Sequence, residues 1–286
     1  MAAFLGLLYT HHAQTHPAEQ SGTRQREVGR TTERELSVVL SSTLGSIRIT
    51  KGESEKIAVL ESQAGRDDPL VHFNYDVRNR IGYMDVKLGE KGEEDETGSV
   101  TLSDIGKGDW TLRLSDALPI SLDLELGAGT GKFDFSGLSI KDLNITTGAS
   151  QVKVLFDEPN KSLIENMNIE SGVSTFVAQN LGNANFRRLR FQGGVGVYTL
   201  DFNGELTTEV DVDAEVGLGV LTIIIPPEVG ARVFYDKNWI STLDVESDFH
   251  PTDENQYQSE NYASARGKLN IRLDSGLGNI RIRRTK

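Results

Sequence analysis

Alternating carboxylates are the first residues in this sequence whose type and spacing could support chemistry. Asp123 and Glu125 form one such pair. Asp211, Asp213 and Glu215 form a second series. Residues two apart in a strand share one face of a sheet, and a carbohydrate-active enzyme needs two facing carboxylates about 5–9 Å apart in a cleft. The competing hypothesis, which we favour, is an evenly spread acidic face that keeps the protein soluble.

An arginine cluster formed by Arg187, Arg188 and Arg190 enters a predicted strand. Guanidinium groups pair with carboxylates and with phosphates through the same forked geometry. The cluster could therefore pair with the acidic faces of neighbouring strands or bind an anionic polymer. We expect pairing with the acidic faces, and we keep the cluster as a possible binding surface.

The polar and aromatic segment 236–266 provides a second possible binding surface. It contains Trp239, Tyr257 and Tyr262. Long excursions from a regular fold often carry function, and aromatic side chains are frequent anchors of interfaces. The alternative hypothesis is that these rings only cap the last strands and cover the core.

Several other chemistries are excluded by composition. The chain has no cysteine, so it has no disulfide, thiolate metal site or cysteine nucleophile. Its formal charge of −12 argues against a nucleic-acid partner. The run Gly127-Ala-Gly-Thr-Gly131 precedes a predicted strand, whereas a phosphate-binding loop needs a helix there. No metal site or cofactor is predicted, because no pattern supplies three ligands around the histidines, which are His11, His12, His16, His72 and His250.

A repeat of glycine-led tripeptides marks the elements that must position these residues. The first five are spaced 21, 24, 22 and 23 residues apart, and the last follows after 59. Alternating aliphatic residues flank most of them, which predicts strands joined at tight turns. Glycine suits such turns, often with positive φ. The turn glycines are Gly127, Gly148, Gly172, Gly194, Gly217 and Gly276.

The period predicts an all-β fold, namely a single-chain β-solenoid with about 22 residues per coil. We place this solenoid at residues 119–286, with an irregular excursion at about 236–266. A smaller β region at residues 32–118 is expected to precede it and to stack on it. A β-sandwich with evenly spaced short strands is the alternative fold.

Residues 1–31 are predicted to be a signal remnant followed by a polar linker. Residues 2–9 form a short apolar run that resembles the core of a secretory signal. No apolar run reaches the 18 residues that a transmembrane helix needs. The sequence therefore predicts an extracytoplasmic protein, in the periplasm or on the cell surface, with no transmembrane segment.

Several motifs resemble the bacterial toast-rack domains. The stretch from Trp110 through Leu112-Arg-Leu114 to Gly127-Ala-Gly129 resembles their central part, as do residues 135–138 and 143–149. Residues 276–282 resemble the close of the family. The resemblance extends to β-solenoids described as candidate adhesins and to the C-terminal domains of cell-wall-active antibiotic response proteins. It implies a bacterial cell-envelope domain without established catalytic residues.

The function predicted from these features is a non-enzymatic structural or adhesion module of the cell envelope. Its partner would be an unknown envelope protein or polysaccharide, and no cofactor is expected. Solenoid ends or edges could also pair two copies into a homodimer. Two alternatives stay open. One is an accessory or sensor domain in a cell-wall stress response, and the other is a carbohydrate-active enzyme on a β-helix scaffold.

Overall fold

The computed structural model describes residues 23–63, 71–89, 108–236 and 241–285. Within these ranges, sixteen strands join in one sheet. Their bounds are β1 (Thr23–Gly29), β2 (Glu35–Lys51), β3 (Lys56–Gln63), β4 (Val71–Arg78), β5 (Ile81–Leu88), β6 (Asp109–Leu114), β7 (Ile120–Asp134), β8 (Ile140–Leu155), β9 (Ile164–Gln179), β10 (Phe186–Asp201), β11 (Glu209–Ile225), β12 (Gly230–Asp236), β13 (Thr242–Asp244), β14 (Phe249–Asp253), β15 (Gln256–Ser259) and β16 (Lys268–Arg284).

A ladder of long parallel strands forms the body of the molecule. The order β2-β7-β8-β9-β10-β11-β16 places each strand in parallel register with the next. From β7 to β11, each strand along the chain adds one rung, with a connection of four to eight residues before the next strand. This arrangement confirms the predicted all-β solenoid, and the sheet does not close on itself.

Each of the long strands β7 to β11 and β16 turns a corner at its glycine-led tripeptide. In β7, Leu122, Leu124 and Leu126 are buried before the corner, and Gly131 and Phe133 are buried after it. Inward-facing residues have even numbers up to Leu126 and odd numbers from Gly131 onward. The strand therefore presents one side to the core before the corner and the other side after it, and both halves face the core. We call the half before the tripeptide the first arm and the half after it the second arm.

The core runs without interruption from one end of the sheet to the other. A single buried cluster extends from Val28 to Ile282. Rings from neighbouring rungs meet inside it, for example Phe176 and Phe191 with centroids 5.7 Å apart. One rung cannot bury its apolar face alone, so stability comes from stacking against the next rung.

At the C-terminal end, the last strand of the chain lies inside the sheet. Strand β16 pairs with β11 on one side and with β12 and β13 on the other. Strands β15 and β14 then continue the sheet outward from β12. The described part of the predicted excursion at residues 236–266 therefore contributes β13, β14 and β15 to the sheet instead of leaving it.

The N-terminal end repeats this arrangement. Strand β2 lies between β7 and the pair β5 and β6, each of which covers one arm of β2. Strands β4 and β3 then pair antiparallel with β5 and β6, and β1 pairs with β3. The predicted stacking of residues 32–118 on the solenoid thus takes the form of one continuous sheet. The division at residue 118 remains a prediction.

Strand β1 lies in a segment for which the sequence predicts a polar linker. Only Val28 is buried among its seven residues. An edge strand that buries one side chain shows no apolar alternation, so its sequence looks like a linker. The structure corrects the linker at residues 23–29. Residues 1–22, for which a signal remnant and the start of a polar linker are predicted, lie outside the described residues.

Candidate functional site

An open groove of about 790 Å³ lies at the start of the first arms of β9, β10 and β11. The short connections before these strands bring their opening residues side by side. The lining combines carboxylates, amides, guanidinium groups and a small apolar part: Leu163, Glu165, Asn166, Asn185, Phe186, Arg187, Arg188, Thr208, Glu209 and Asp211. Two residues of the predicted arginine cluster therefore lie in the groove.

The three arginines differ in their contacts. Arg187 Nε lies 3.2 Å from Glu165 Oε2, across neighbouring strands. Arg188 is in register with Asp211, and Arg190 is in register with Asp213. Within the described residues, the guanidinium groups of Arg188 and Arg190 make no ion pair or side-chain hydrogen bond. Their forked donors are exposed to solvent beside an acidic strand.

Asn270 organises the acidic side of the groove. Its Nδ2 donates to Glu209 Oε1 at 2.7 Å and to Asp211 Oδ1 at 3.4 Å. Both carboxylates are exposed. A glycosidase acid instead occupies an apolar, water-excluding position that keeps it protonated. The sequence reasoning missed Asn270, although it occupies the outward position of β16 in register with Asp211.

The other alternating carboxylates are spread along the rod. Asp123 and Glu125 lie on β7, whereas Asp213 and Glu215 lie on β11, with β8, β9 and β10 between them. The four steps from β7 to β11 amount to about 19 Å at about 4.8 Å per step. These two sets therefore form an extended acidic surface of the first arms and do not converge in one cleft.

The predicted aromatic surface is only partly described. The ring of Tyr262 is buried, with 7% of the residue exposed. Its hydroxyl donates to Asn270 Oδ1 at 2.8 Å, and the guanidinium of Arg232 lies 4.4 Å from its ring centroid. Burial raises the pKa of Tyr262. Tyr257 is half-buried and packs against the core, while Trp239 lies outside the described residues.

The turn glycines stack in a line along the corner. A Cβ at Gly148 would lie 2.2 Å from the carbonyl oxygen of Gly127, and a Cβ at Gly276 would lie 2.6 Å from that of Gly217. Close approach of the neighbouring rung requires glycine here. Positive φ occurs instead at the third position of the tripeptide, as at Gly129.

The middle residue of each tripeptide forms an apolar ridge on the outside of the corner. On consecutive strands from β9 to β16 these residues are in register, and each has 45–63% of its surface exposed. They are Val173, Val195, Leu218 and Leu277. On β7 and β8 the same position holds Ala128 and Ala149. The ridge thus becomes larger towards the C-terminal end.

Two arginines near the C-terminal end, Arg283 and Arg284, are bound within the molecule. Arg284 donates from Nε and Nη2 to Asp248 Oδ2 at 2.9 and 2.7 Å, and from Nη1 to the carbonyl oxygens of Pro226 and Val229. Arg283 pairs with Asp244. These contacts hold the last strand to the connection that follows β11 and to the segment before β14.

The described ranges contain neither a metal-ligand cluster nor a membrane-spanning helix. Within them, no group of three or more His, Asp or Glu side chains is arranged to hold a metal ion. Within the same ranges, no helix has the length and apolar character needed to cross a membrane.

Several solved structures are similar to this chain. A candidate cell adhesion protein from Clostridium sporogenes is 18% identical, with a TM-score of 0.46, and the match covers 92% of this chain and 99% of the other. Candidate adhesins from Bacteroides fragilis and Parabacteroides merdae are 14% and 10% identical, with TM-scores of 0.30 and 0.32. These matches cover 92% of this chain and 98% and 96% of the others. At these identities and TM-scores, the similarity gives no information about the function of this chain.

A comparison with curated proteins finds no match. A family model does match, over residues 16–177, and it describes the N-terminal domain of toast_rack, DUF2154. The matched range holds β1 to β8 and most of β9, which include the first four long strands of the ladder. Because the match covers more than half of the chain, this protein belongs to the toast_rack N-terminal domain family.

Proposed function

We propose that this chain is a non-catalytic module of the bacterial cell envelope that binds a hydroxyl-rich polysaccharide in the groove beside Arg188. Three features support the proposal. The chain belongs to a family defined by its fold, its strands stack into a rod, and an open groove contains polar groups that are not hydrogen-bonded within the described residues. Location outside the cytoplasm is part of the proposal. It rests on the apolar run at residues 2–9 and on the resemblance to envelope domains.

The observation that carries the proposal is the mixture of donors and acceptors in the groove. A sugar hydroxyl both donates and accepts hydrogen bonds. Arg188 supplies donors that no described group uses, and Glu209 and Asp211 supply acceptors. The Nδ2 of Asn185 donates to the carbonyl oxygen of Ser162 at 3.0 Å, and its Oδ1 is available as an acceptor.

The same groups argue for binding without catalysis. Glu165 is paired with Arg187, and Glu209 and Asp211 are held by one amide on an exposed surface. A catalytic pair needs one carboxyl in a desolvated position and the other near a reacting carbon. A neutral or zwitterionic polysaccharide fits better than a strongly anionic polymer, because three carboxylates line the groove.

The test uses the full chain and purified peptidoglycan sacculi in a co-sedimentation assay. Muramidase-released glycan fragments then give affinities by thermophoresis. Arg188→Ala and Asp211→Asn should each weaken binding by about tenfold or more, since a hydrogen bond to a charged group contributes about 1.5–3 kcal/mol. Lys153→Ala is the matched control, because Lys153 is exposed on the second arm, away from the groove.

Three results would overturn the proposal. The wild type could fail to sediment with sacculi, the groove variants could bind as tightly as the wild type, or Lys153→Ala could lose as much affinity as Arg188→Ala. Release of new reducing ends from the glycan fragments would overturn the non-catalytic part alone.

A further inference from the structure

The described sheet leaves the outer edge of four strands unpaired. Strands β1 and β14 are the ends of the strand order, and β4 and β13 each pair with one strand only. An unpaired edge presents a row of backbone N–H and C=O groups that can accept another strand. The four edges differ in how well they would accept one.

Three of these edges carry features that oppose strand addition. Strand β1 presents Arg24, Arg26 and Glu27 in seven residues. Strand β14 contains Pro251, and β13 has only three residues. Charge, proline and short length are the usual protections of a natural sheet edge.

Strand β4 is less protected, because its two charged residues, Asp76 and Arg78, pair with each other. It is eight residues long, contains no proline, and pairs with β5 in an unbroken register from Val71 to Arg78. Its inward side chains, which include Phe73 and Tyr75, pack against the core but remain half-buried. The inward residues of β5, such as Val86, are fully buried. The apolar layer under β4 is therefore open on its outer side within the described residues.

The sequence of β4 is complementary to itself. When two copies of one strand pair antiparallel, the numbers of directly opposite residues have a constant sum. Opposite residues belong to the same face of both copies only when this sum is even. A two-fold axis at Asn74 pairs Val71 with Val77, His72 with Asp76, and Phe73 with Tyr75. Each of these matches is favourable in a cross-strand pair: apolar, imidazole with carboxylate, and aromatic.

Neighbouring registers are poorer. A two-fold axis at Tyr75 would place His72 opposite Arg78, and an axis at Phe73 would leave Val77 and Arg78 without partners. An arginine opposite an imidazole lacks the carboxylate partner that makes a cross-strand pair favourable. The axis at Asn74 instead places Asp76, which contacts Arg78 Nε at 2.9 Å in its own copy, opposite His72 of the second copy.

We propose that β4 pairs antiparallel with β4 of a second copy of this chain, with the two-fold axis at Asn74. The order β5-β4-β4-β5 then continues one sheet through both copies and covers the open apolar layer. A seven-residue strand pair alone provides less than the about 1,200–2,000 Å² of a standard stable interface. We therefore expect a dimer whose population depends on concentration. This inference is independent of glycan binding in the groove.

Sedimentation equilibrium of the full chain over a range of concentrations tests the proposal. The wild type should show a monomer–dimer equilibrium. Asn74→Lys places two like charges at the axis and should weaken dimerisation by about tenfold or more. Gln151→Lys makes the same charge change on an exposed face of β8 and should leave the equilibrium unchanged.

A disulfide cross-link between two copies tests the proposed register of the β4 pair. The chain has no cysteine, so Asn74→Cys introduces one thiol that faces its own copy across the axis. Directly opposite Cα atoms lie about 4.5–5.5 Å apart, within disulfide range. Mild oxidation should give a covalent dimer with Asn74→Cys and much less with Gln151→Cys. A wild type that stays monomeric at high concentration, or equal cross-linking of both variants, would overturn the proposal.

Discussion

The hydroxyl of Tyr75 donates a hydrogen bond to Glu33 Oε1 at 2.7 Å. This contact ties β4 to the turn before β2. Glu33 is almost fully buried, and it also accepts from the backbone N and the Oγ1 of Thr31. Burial alone would raise the pKa of Glu33, but the hydrogen bonds from Tyr75 and Thr31 hold it below its ordinary value. Burial and the bond to Glu33 raise the pKa of Tyr75.

We expect Tyr75→Phe to lower the free energy of unfolding at pH 7 by about 1–3 kcal/mol, because a buried carboxylate loses a donor. A group with a lowered folded pKa stabilises the fold above its unfolded pKa, here near 4.5, and loses that contribution as the pH falls through the folded value. The deficit of the variant should therefore shrink as the pH falls below the unfolded pKa of 4.5. Urea unfolding at several pH values measures it.

Tyr83→Phe is the matched control for this prediction. Tyr83 lies on β5 with an exposed ring, and its loss of a hydroxyl should change stability by less than about 0.5 kcal/mol. Equal destabilisation by both variants, or a Tyr75→Phe deficit that does not change with pH, would contradict the role given to Glu33.

Gly148→Ala should destabilise the rod by about 1–3 kcal/mol, as overpacking does. The added Cβ would lie 2.2 Å from the carbonyl oxygen of Gly127, and two neighbouring rungs would have to separate. Gly29→Ala is the control, because nothing lies within 4 Å of a Cβ there. Thermal unfolding followed by circular dichroism compares them. A melting temperature for Gly148→Ala equal to that of the control would refute the close-approach explanation.

Asn160 joins three successive rungs inside the return connections. Its Oδ1 accepts from Ile140 N at 2.7 Å, and its Nδ2 donates to the carbonyl oxygens of Ile140, Ser162 and Ala184. We expect Asn160→Ala to cost about 3 kcal/mol or more, since several buried groups lose their partner. Asn160→Asp should not restore stability, because it keeps the acceptor and loses the donors.

The measurement for Asn160 is urea unfolding, with Asn168→Ala as the control. Asn168 is exposed and makes one side-chain hydrogen bond, to Asn144. Wild-type stability of Asn160→Asp would show that the donated hydrogen bonds contribute little.

Arg284→Lys should loosen the C-terminal strand although it keeps the charge. Lysine cannot reproduce the fork that reaches Asp248 and the carbonyl oxygens of Pro226 and Val229 together. We expect a loss of about 1.5–3 kcal/mol and faster amide hydrogen exchange in β16. Arg281→Lys, on an exposed position of the same strand, is the control. Unchanged exchange in Arg284→Lys would contradict the prediction.

The middle of the rod could be predicted from the sequence because each rung repeats the same pattern of apolar residues and glycine. Alternating residues such as Leu143 and Ile145, followed by a glycine-led tripeptide, recur at nearly constant spacing and predict the same strand each time. The corner glycines were identified for this reason. The reason for glycine at these corners differs from the positive φ expected from the sequence, because close approach of the neighbouring rung dominates at Gly148.

The ends could not be predicted in the same way. A gap of 59 residues before Gly276 indicates an insertion but carries no information on spatial order, so the place of β16 between β11 and β12 was not foreseen. The role of Asn160 could not be predicted, because side-chain hydrogen bonds between connections leave no periodic signal in the sequence. The groove was only half identified, since Arg188 stands in a visible cluster whereas Asn270 is one amide on an alternating strand.

The position of β16 also sets a constraint on biosynthesis. Strand β16 is synthesised after β11, β12 and β13, and it must enter between β11 and the pair β12 and β13. Until then, both neighbours present backbone edges that the finished molecule hides. The rod can assemble rung by rung from its N-terminal side during translation, but its far end closes only after β16 has been synthesised. A nascent chain stalled before residue 268 would therefore carry an open slot that matches the sequence of its own missing strand.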